Sequence, residues 1–137
     1  MRLRLPLMYV LVAAALLGGC SSLRPVAPVA DGPDGVRVLV RAQKDDLFKL
    51  EVVNYGRAPI VVDRDRVVLF TSRGARAHVD GGVDTVDWVP PGGHHAVNVR
   101  FDLGNLRTGE RVAISLAGAV TLDGRPLSVP NLEFVAD

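Results

Sequence analysis

The sequence has very little cysteine, since Cys20 is the only one in 137 residues. A single thiol excludes an intrachain disulfide, so the fold must be stabilised by its apolar core. Aromatic residues are also scarce, at 5% of the chain, and the formal net charge is only +1. A nucleic-acid-binding protein needs a concentrated basic surface, and we therefore expect no nucleic-acid partner.

The sequence also lacks the common catalytic motifs. It contains no G-x-S-x-G, no H-E-x-x-H and no glycine-rich phosphate loop ending in lysine. Residues distant in sequence can still form a catalytic triad, because triads are defined by geometry. The spacing of the serines and histidines indicates none, so we expect a protein that is not an enzyme and has no catalytic residues.

Residues 1–20, MRLRLPLMYVLVAAALLGGC, have the layout of a secretory signal. Two arginines precede an apolar stretch, and small residues follow it. The stretch is about 11 residues long and would span only about 16 Å as a helix, whereas a bilayer core is near 30 Å thick. A permanent transmembrane helix is therefore disfavoured. A buried core helix also fits poorly with the glycine pair and the prolines that follow.

The residues Leu17-Gly18-Gly19-Cys20 resemble a bacterial lipobox. The resemblance implies a diacylglyceryl group on the Cys20 thiol, cleavage before this residue, and acylation of the new N-terminus, with palmitate as a typical acyl chain. This covalent lipid is the only cofactor that we expect, and it makes the membrane a partner. One acyl chain binds membranes marginally and several bind stably. An ordinary signal peptide with a chance cysteine is the alternative.

Ser21 follows the cysteine where some lipoproteins have aspartate. By resemblance to lipoprotein sorting in Gram-negative bacteria, this serine implies an outer-membrane lipoprotein that faces the periplasm. The inner membrane and the cell surface are the alternatives.

We expect the chain to divide into a signal peptide (1–19), a lipidated tether (20–35) and a β-domain (36–137). Prolines and glycines in the tether, SSLRPVAPVADGPDG, favour an extended, semi-rigid linker, with a disordered tail that has no spacing role as the alternative. From residue 36 onward, apolar residues alternate with polar ones and turn signals recur. Seven or eight short strands in about 100 residues predict an all-β antiparallel sandwich, with a hairpin turn at Asp123-Gly124.

Several turns and strand entries resemble the telokin-like, immunoglobulin-fold domains of bacterial lipoproteins of unknown function. The resemblance implies an immunoglobulin-like sandwich and no catalytic residues. The residues that carry it are Asn54-Tyr55-Gly56 before Pro59-Ile60, Leu69 before Gly74, and Pro91-Gly92-Gly93 before Val97, Val99 and Phe101.

The segment 80–93, DGGVDTVDWVPPGG, shows no evident secondary structure and is long enough for a binding loop. It contains Asp84, Asp87 and Trp88, the only tryptophan. Exposed tryptophans are enriched at interface hot spots, so Trp88 is a candidate anchor for an envelope protein partner. The alternative is a lid over one end of the core. The same loop suggests a further alternative, an inhibitor of an envelope-directed hydrolase.

A periplasmic copper or zinc site through His78, His94 and His95 is another alternative function. If strand pairing begins by residue 94, the adjacent rings of His94 and His95 point to opposite faces and cannot bind one ion. Chelation would require them to lie in the loop after Gly93, with a third ligand from elsewhere.

Overall fold

The computed structural model describes residues 22–44, 46–79 and 86–137, and these residues form an all-β fold. The strands are β1 (Leu23–Ala27), β2 (Val29–Asp31), β3 (Val36–Ala42), β4 (Leu47–Asn54), β5 (Ile60–Asp63), β6 (Val68–Thr71), β7 (Gly74–Arg76), β8 (Val86–Val89), β9 (His94–Arg100), β10 (Arg111–Ser115), β11 (Val120–Leu122), β12 (Arg125–Pro126) and β13 (Leu132–Ala136). Two short 3₁₀ turns, Pro33–Gly35 and Arg64–Arg66, connect strands.

The strands form three antiparallel sheets that share one apolar core. The five-stranded sheet has the order β1-β13-β10-β6-β7, and the two four-stranded sheets have the orders β12-β11-β5-β8 and β2-β3-β4-β9. In the core, the ring of Phe48 packs edge-on against Phe101 and Phe134, at centroid distances of 6.0 and 5.7 Å. The predicted all-β antiparallel sandwich is confirmed, but the described residues form thirteen strands where seven or eight were predicted, because several strands are only two to four residues long.

The alternating residues of β3 and β4 explain why these strands form the centre of one sheet. Val36, Val38 and Val40 are buried, whereas Arg37 and Arg41 point outward. β3 pairs with β4 over seven consecutive residues without a register shift. A slip of one residue would move every valine to the solvent side, so the pattern fixes the register.

The C-terminal hairpin also follows the sequence prediction. Asp123 and Gly124 have φ angles of 51° and 76°, the positive values that a tight two-residue turn requires. Four apolar residues after the turn are buried in the core: Leu127, Val129, Leu132 and Phe134.

The structure differs from the sequence prediction in residues 22–35, which belong to the segment 20–35 that was expected to form a tether. β1 pairs with β13, and β2 pairs with β3, so the domain begins at Leu23 rather than at residue 36. Ala30 is almost fully buried. Proline is tolerated in edge strands, where its missing N–H leaves no ladder bond unmade. Pro25 lies in β1, which pairs on one side only, and the proline content therefore indicated a linker wrongly.

The predicted signal peptide (1–19), Cys20 and Ser21 lie outside the described residues. Within the described part of the chain, no helix is long and apolar enough to cross a membrane.

The turn after β4 is organised by the side chain of Asn54, which is completely buried. Its Nδ2 donates to the carbonyl oxygens of Ala58 and Val89 at 2.8 and 3.1 Å, and its Oδ1 accepts from the Gly56 N–H at 2.9 Å. One amide thereby joins the end of β4 to the following turn and to the end of β8. A Cβ on Gly56 would overlap the Asp34 carbonyl oxygen, so glycine is required for this turn to pack on residues 33–35.

The loop 102–110, directly before β10, packs around the carboxylate of Glu110. Ser72 Oγ donates to Glu110 Oε1 at 2.6 Å, and the Arg107 N–H donates to Oε2 at 3.3 Å. Arg73 Nε lies 3.6 Å from Oε1. The hydrogen bond from Ser72 is the main reason that the pKa of Glu110 lies below its ordinary value of 4.5.

We expect Glu110→Gln to destabilise the protein at neutral pH and to have little effect in acid. A carboxyl whose pKa is lowered by folding stabilises the native state above its unfolded pKa, and this contribution is lost as the pH falls through the lower folded pKa. Thermal unfolding from pH 7 down to pH 3 measures it, with Asp123→Asn as the control at an exposed turn. A constant difference between wild type and Glu110→Gln over this range would contradict the expectation.

Candidate functional site

Trp88 is the exposed aromatic residue around which a candidate site can be described. The segment 80–93 was expected to lack secondary structure, but residues 86–89 form β8, which pairs with β5 in the register Ile60↔Val89 and Val61↔Trp88. Trp88 remains 67% exposed, whereas Val89 is fully buried. The alternation of the strand therefore places Trp88 on the outer face of the sheet, and it is not a lid over the core.

β8 lies at the edge of its sheet, and among the described residues no strand pairs with its second side. Val86, two residues before Trp88 and on the same outer face, is 50% exposed. Native edge strands are usually protected by charge, proline or a covering segment, because an open edge can pair with another chain. Two large exposed apolar side chains at such an edge are typical of a surface that binds a partner.

A shallow groove of about 280 Å³ lies on the same sheet face, next to Trp88. Val61, Val86 and Pro126 supply its apolar wall. Asp63 and Arg66 line it as well, and their side chains form an ion pair at 3.5 Å. We call Trp88, Val86 and this groove the Trp88 face. Its composition, an aromatic side chain beside apolar and charged groups, suits contact with a polypeptide.

Asp87, a second predicted partner-binding residue, faces away from Trp88. Its Oδ2 lies 3.2 Å from His95 Nε2, so the pair joins β8 to β9. Asp87 therefore contributes to the connection between two sheets and not to the Trp88 face. Asp84, the third predicted residue, lies outside the described residues.

The three histidines do not come together in the structure. Strand pairing begins at His94, so His94 and His95 lie on opposite faces of β9, as their adjacency predicts for a strand. His94 Nδ1 lies 3.6 Å from Glu51 Oε1 on the outer face. His78 hydrogen-bonds through Nε2 to the Val67 carbonyl oxygen and packs edge-on against Phe101. Across the described residues, no group of three His, Cys, Asp or Glu side chains is arranged to hold a metal ion.

The sequence interpretation missed β8 and the groove, although a short signal was present. In Val86-Asp87-Trp88-Val89, the alternation of a strand correctly places Val86 and Trp88 on one face and Asp87 and Val89 on the other. Which pair faces the core depends on how β8 pairs with β5, and this is a tertiary property.

No protein-family model matches the chain, and no curated protein sequence matches it. Among solved structures, the fold is similar to the crystal structure of YcdA from Bacillus subtilis strain 168, which is provisionally assigned as a lipoprotein. The two share 14% sequence identity with a TM-score of 0.48, and the alignment covers 77% of this chain. The chain matches only 38% of the length of the YcdA chain.

Proposed function

We propose that this chain is a lipid-anchored protein of the bacterial envelope that binds another envelope protein through the Trp88 face. In this proposal the protein is not an enzyme, and its domain lies on the periplasmic side of the outer membrane. The observation that carries the binding function is the exposure of Trp88 and Val86 on an edge strand whose second side pairs with no described strand.

The anchor is supported by the sequence before the first strand. The lipobox-like residues Leu17-Gly18-Gly19-Cys20 end three positions before Leu23, the first residue of β1. The proposed mature chain therefore begins almost directly with folded structure. Ser21 supports the outer membrane as the destination. The resemblance to telokin-like domains implies no catalytic residues, which agrees with a protein that is not an enzyme.

The partner function is supported by the chemistry of the Trp88 face. A tryptophan side chain has a large apolar area and one N–H donor, which explains its enrichment at interface hot spots. An extended segment of a partner can hydrogen-bond to an open strand edge and place side chains in adjacent pockets. Both features occur together at β8. The arrangement of His78, His94 and His95 gives no comparable support to the metal-binding alternative.

We expect a photo-crosslinking phenylalanine analogue at position 88 to capture one defined envelope protein in living cells. The matched control is the same analogue at Phe70, which is 43% exposed on the five-stranded sheet. The adduct at position 88 should disappear when Val86→Asp is added, because a carboxylate would charge the apolar part of the face. Equal adducts at positions 88 and 70 would contradict the proposal, as would an adduct of twice the mass of the chain.

A further inference from the structure

The end of the five-stranded sheet where the chain enters the domain is rich in arginine. Arg24 and Arg111 flank Val135 on adjacent strands, in the register Arg24↔Val135↔Arg111. The turn between β6 and β7 brings Arg73 to the same end, where its guanidinium donates to the Asn105 carbonyl oxygen. Arg107 belongs to the adjoining loop, whose Gly109 N–H donates to the Ala136 carbonyl oxygen. We call these four arginines and their turns the basic end.

Two carboxylates partly balance this charge. Arg24 pairs with Asp137 at 3.4 Å, and Arg73 pairs with Glu110 at 3.6 Å. Arg107 and Arg111 are exposed and form no ion pair with any described residue. Counted over these side chains, positive charges exceed negative charges by two, and the guanidinium groups of Arg107 and Arg111 supply the excess.

The start of the folded domain is fixed at this same end. The Asp137 N–H donates to the Ser22 carbonyl oxygen at 2.9 Å, and Leu23 pairs with Ala136. Only Ser21 separates Ser22 from Cys20, and two Cα-to-Cα steps reach at most about 7 Å. A lipid on Cys20 would therefore hold the basic end within a short distance of the headgroups. Without a long tether, the domain has few orientations on the membrane.

We propose that the basic end lies against an anionic lipid surface and that Arg107 and Arg111 contact the headgroup phosphates. This inference rests on the proposed lipid anchor at Cys20. Arginine suits the role because its planar guanidinium donates two parallel hydrogen bonds to a phosphate. Each basic residue near an anionic membrane raises the surface affinity by roughly five-fold.

This orientation places the Trp88 face towards the half of the domain that is remote from the lipid. β1 and β2 run from the basic end to the turn at Pro33–Gly35, roughly 25 Å away for eight residues of extended chain. The Gly35 carbonyl oxygen accepts from the Tyr55 N–H, and Asn54 is bonded to Val89, the last residue of β8. The anchoring surface and the binding surface are therefore separate.

The test uses the chain from residue 20, which retains every described strand, coupled through its single cysteine to a maleimide lipid in nanodiscs. Because the coupling is chemical, the result does not depend on whether cells lipidate Cys20. The nanodiscs contain equal parts of phosphatidylcholine and phosphatidylglycerol, with a gadolinium-chelate lipid as the probe. We expect the relaxation of the amide protons of Ser72, Arg73 and Arg107 to be enhanced several-fold over that of Asp34 and Tyr55.

Two double variants show whether the domain is oriented by the charge of the basic end or only by the short connection to the lipid. Arg107→Glu with Arg111→Glu should abolish the difference between the two ends. Arg57→Glu with Arg125→Glu, an equal change of charge near Asp34 and Tyr55, should preserve it. Equal enhancement at both ends in the wild type would overturn the proposal. A difference that persists in pure phosphatidylcholine, or in the first variant, would also overturn it, because the tether alone would then orient the domain.

Discussion

Asn54→Ala is expected to lower the free energy of unfolding by about 2–5 kcal/mol, because each buried polar group that loses its partner costs about 1–3 kcal/mol. The substitution removes both donations from Nδ2 and leaves the carbonyl oxygens of Ala58 and Val89 without this partner. It also removes the acceptor of the Gly56 N–H. Urea unfolding of the purified protein measures the loss.

The matched control is Asn98→Ala, which removes the same side chain from an exposed position on β9. An exposed substitution of this kind is expected to change the free energy of unfolding by less than about 0.5 kcal/mol. If Asn54→Ala cost no more than Asn98→Ala, the buried amide would not be what holds β4, the following turn and β8 together.

Cys20→Ser is expected to transfer the mature protein almost entirely out of the detergent phase in a phase-separation assay. Serine has no thiol to receive the diacylglyceryl group, so the acyl chains that stabilise membrane attachment would be lost. Several acyl chains give stable anchoring because each buried methylene contributes about 0.8 kcal/mol. Immunoblotting of the two phases measures the fraction of protein in each.

Substitutions of the next two residues show whether the loss of membrane attachment is caused by the missing thiol. Ser22→Ala should leave the protein in the detergent phase, since it does not alter the acylated residue. Ser21→Asp should keep the lipid but move the protein from the outer-membrane to the inner-membrane fraction. A Cys20→Ser protein that has lost residues 1–19 and still enters the detergent phase would show that something other than Cys20 anchors the chain.

The central strands could be predicted from the sequence because inward apolar residues alternate with outward residues along their whole length. In β4 (Leu47–Asn54), Phe48, Leu50 and Val52 are buried and alternate with residues that point outward. The same rule separated His94 from His95 correctly. A half-buried strand of seven or eight residues contains enough pattern to fix both its type and its inner face.

The edge strands could not be predicted in the same way. β1 and β2 have few large apolar residues and contain or adjoin Pro25 and Pro28, a composition that edge strands share with linkers. β8 has only four residues, and its pairing with β5 decides that Trp88 faces solvent. The contact between Asp87 and His95 depends on how β8 lies beside β9. Each of these features arises from tertiary packing and not from local pattern.

The basic end shows how a structural correction changes the functional account. As a tether, residues 20–35 would have separated the domain from the lipid and left its orientation free. As β1 and β2, they fix the entry point of the chain beside Arg24, Arg107 and Arg111. With the proposed lipid on Cys20, this entry point would decide which surface meets the membrane and which surface remains available to a partner.

The most direct test of the lipid-anchored account is the intact mass of the mature protein purified from bacterial membranes, with fragmentation of its N-terminal peptide. The account predicts a chain that begins at Cys20 and carries a diacylglyceryl group on the thiol and an acyl chain on the amine. A mature chain that begins at any other residue, or an unmodified Cys20, would contradict it.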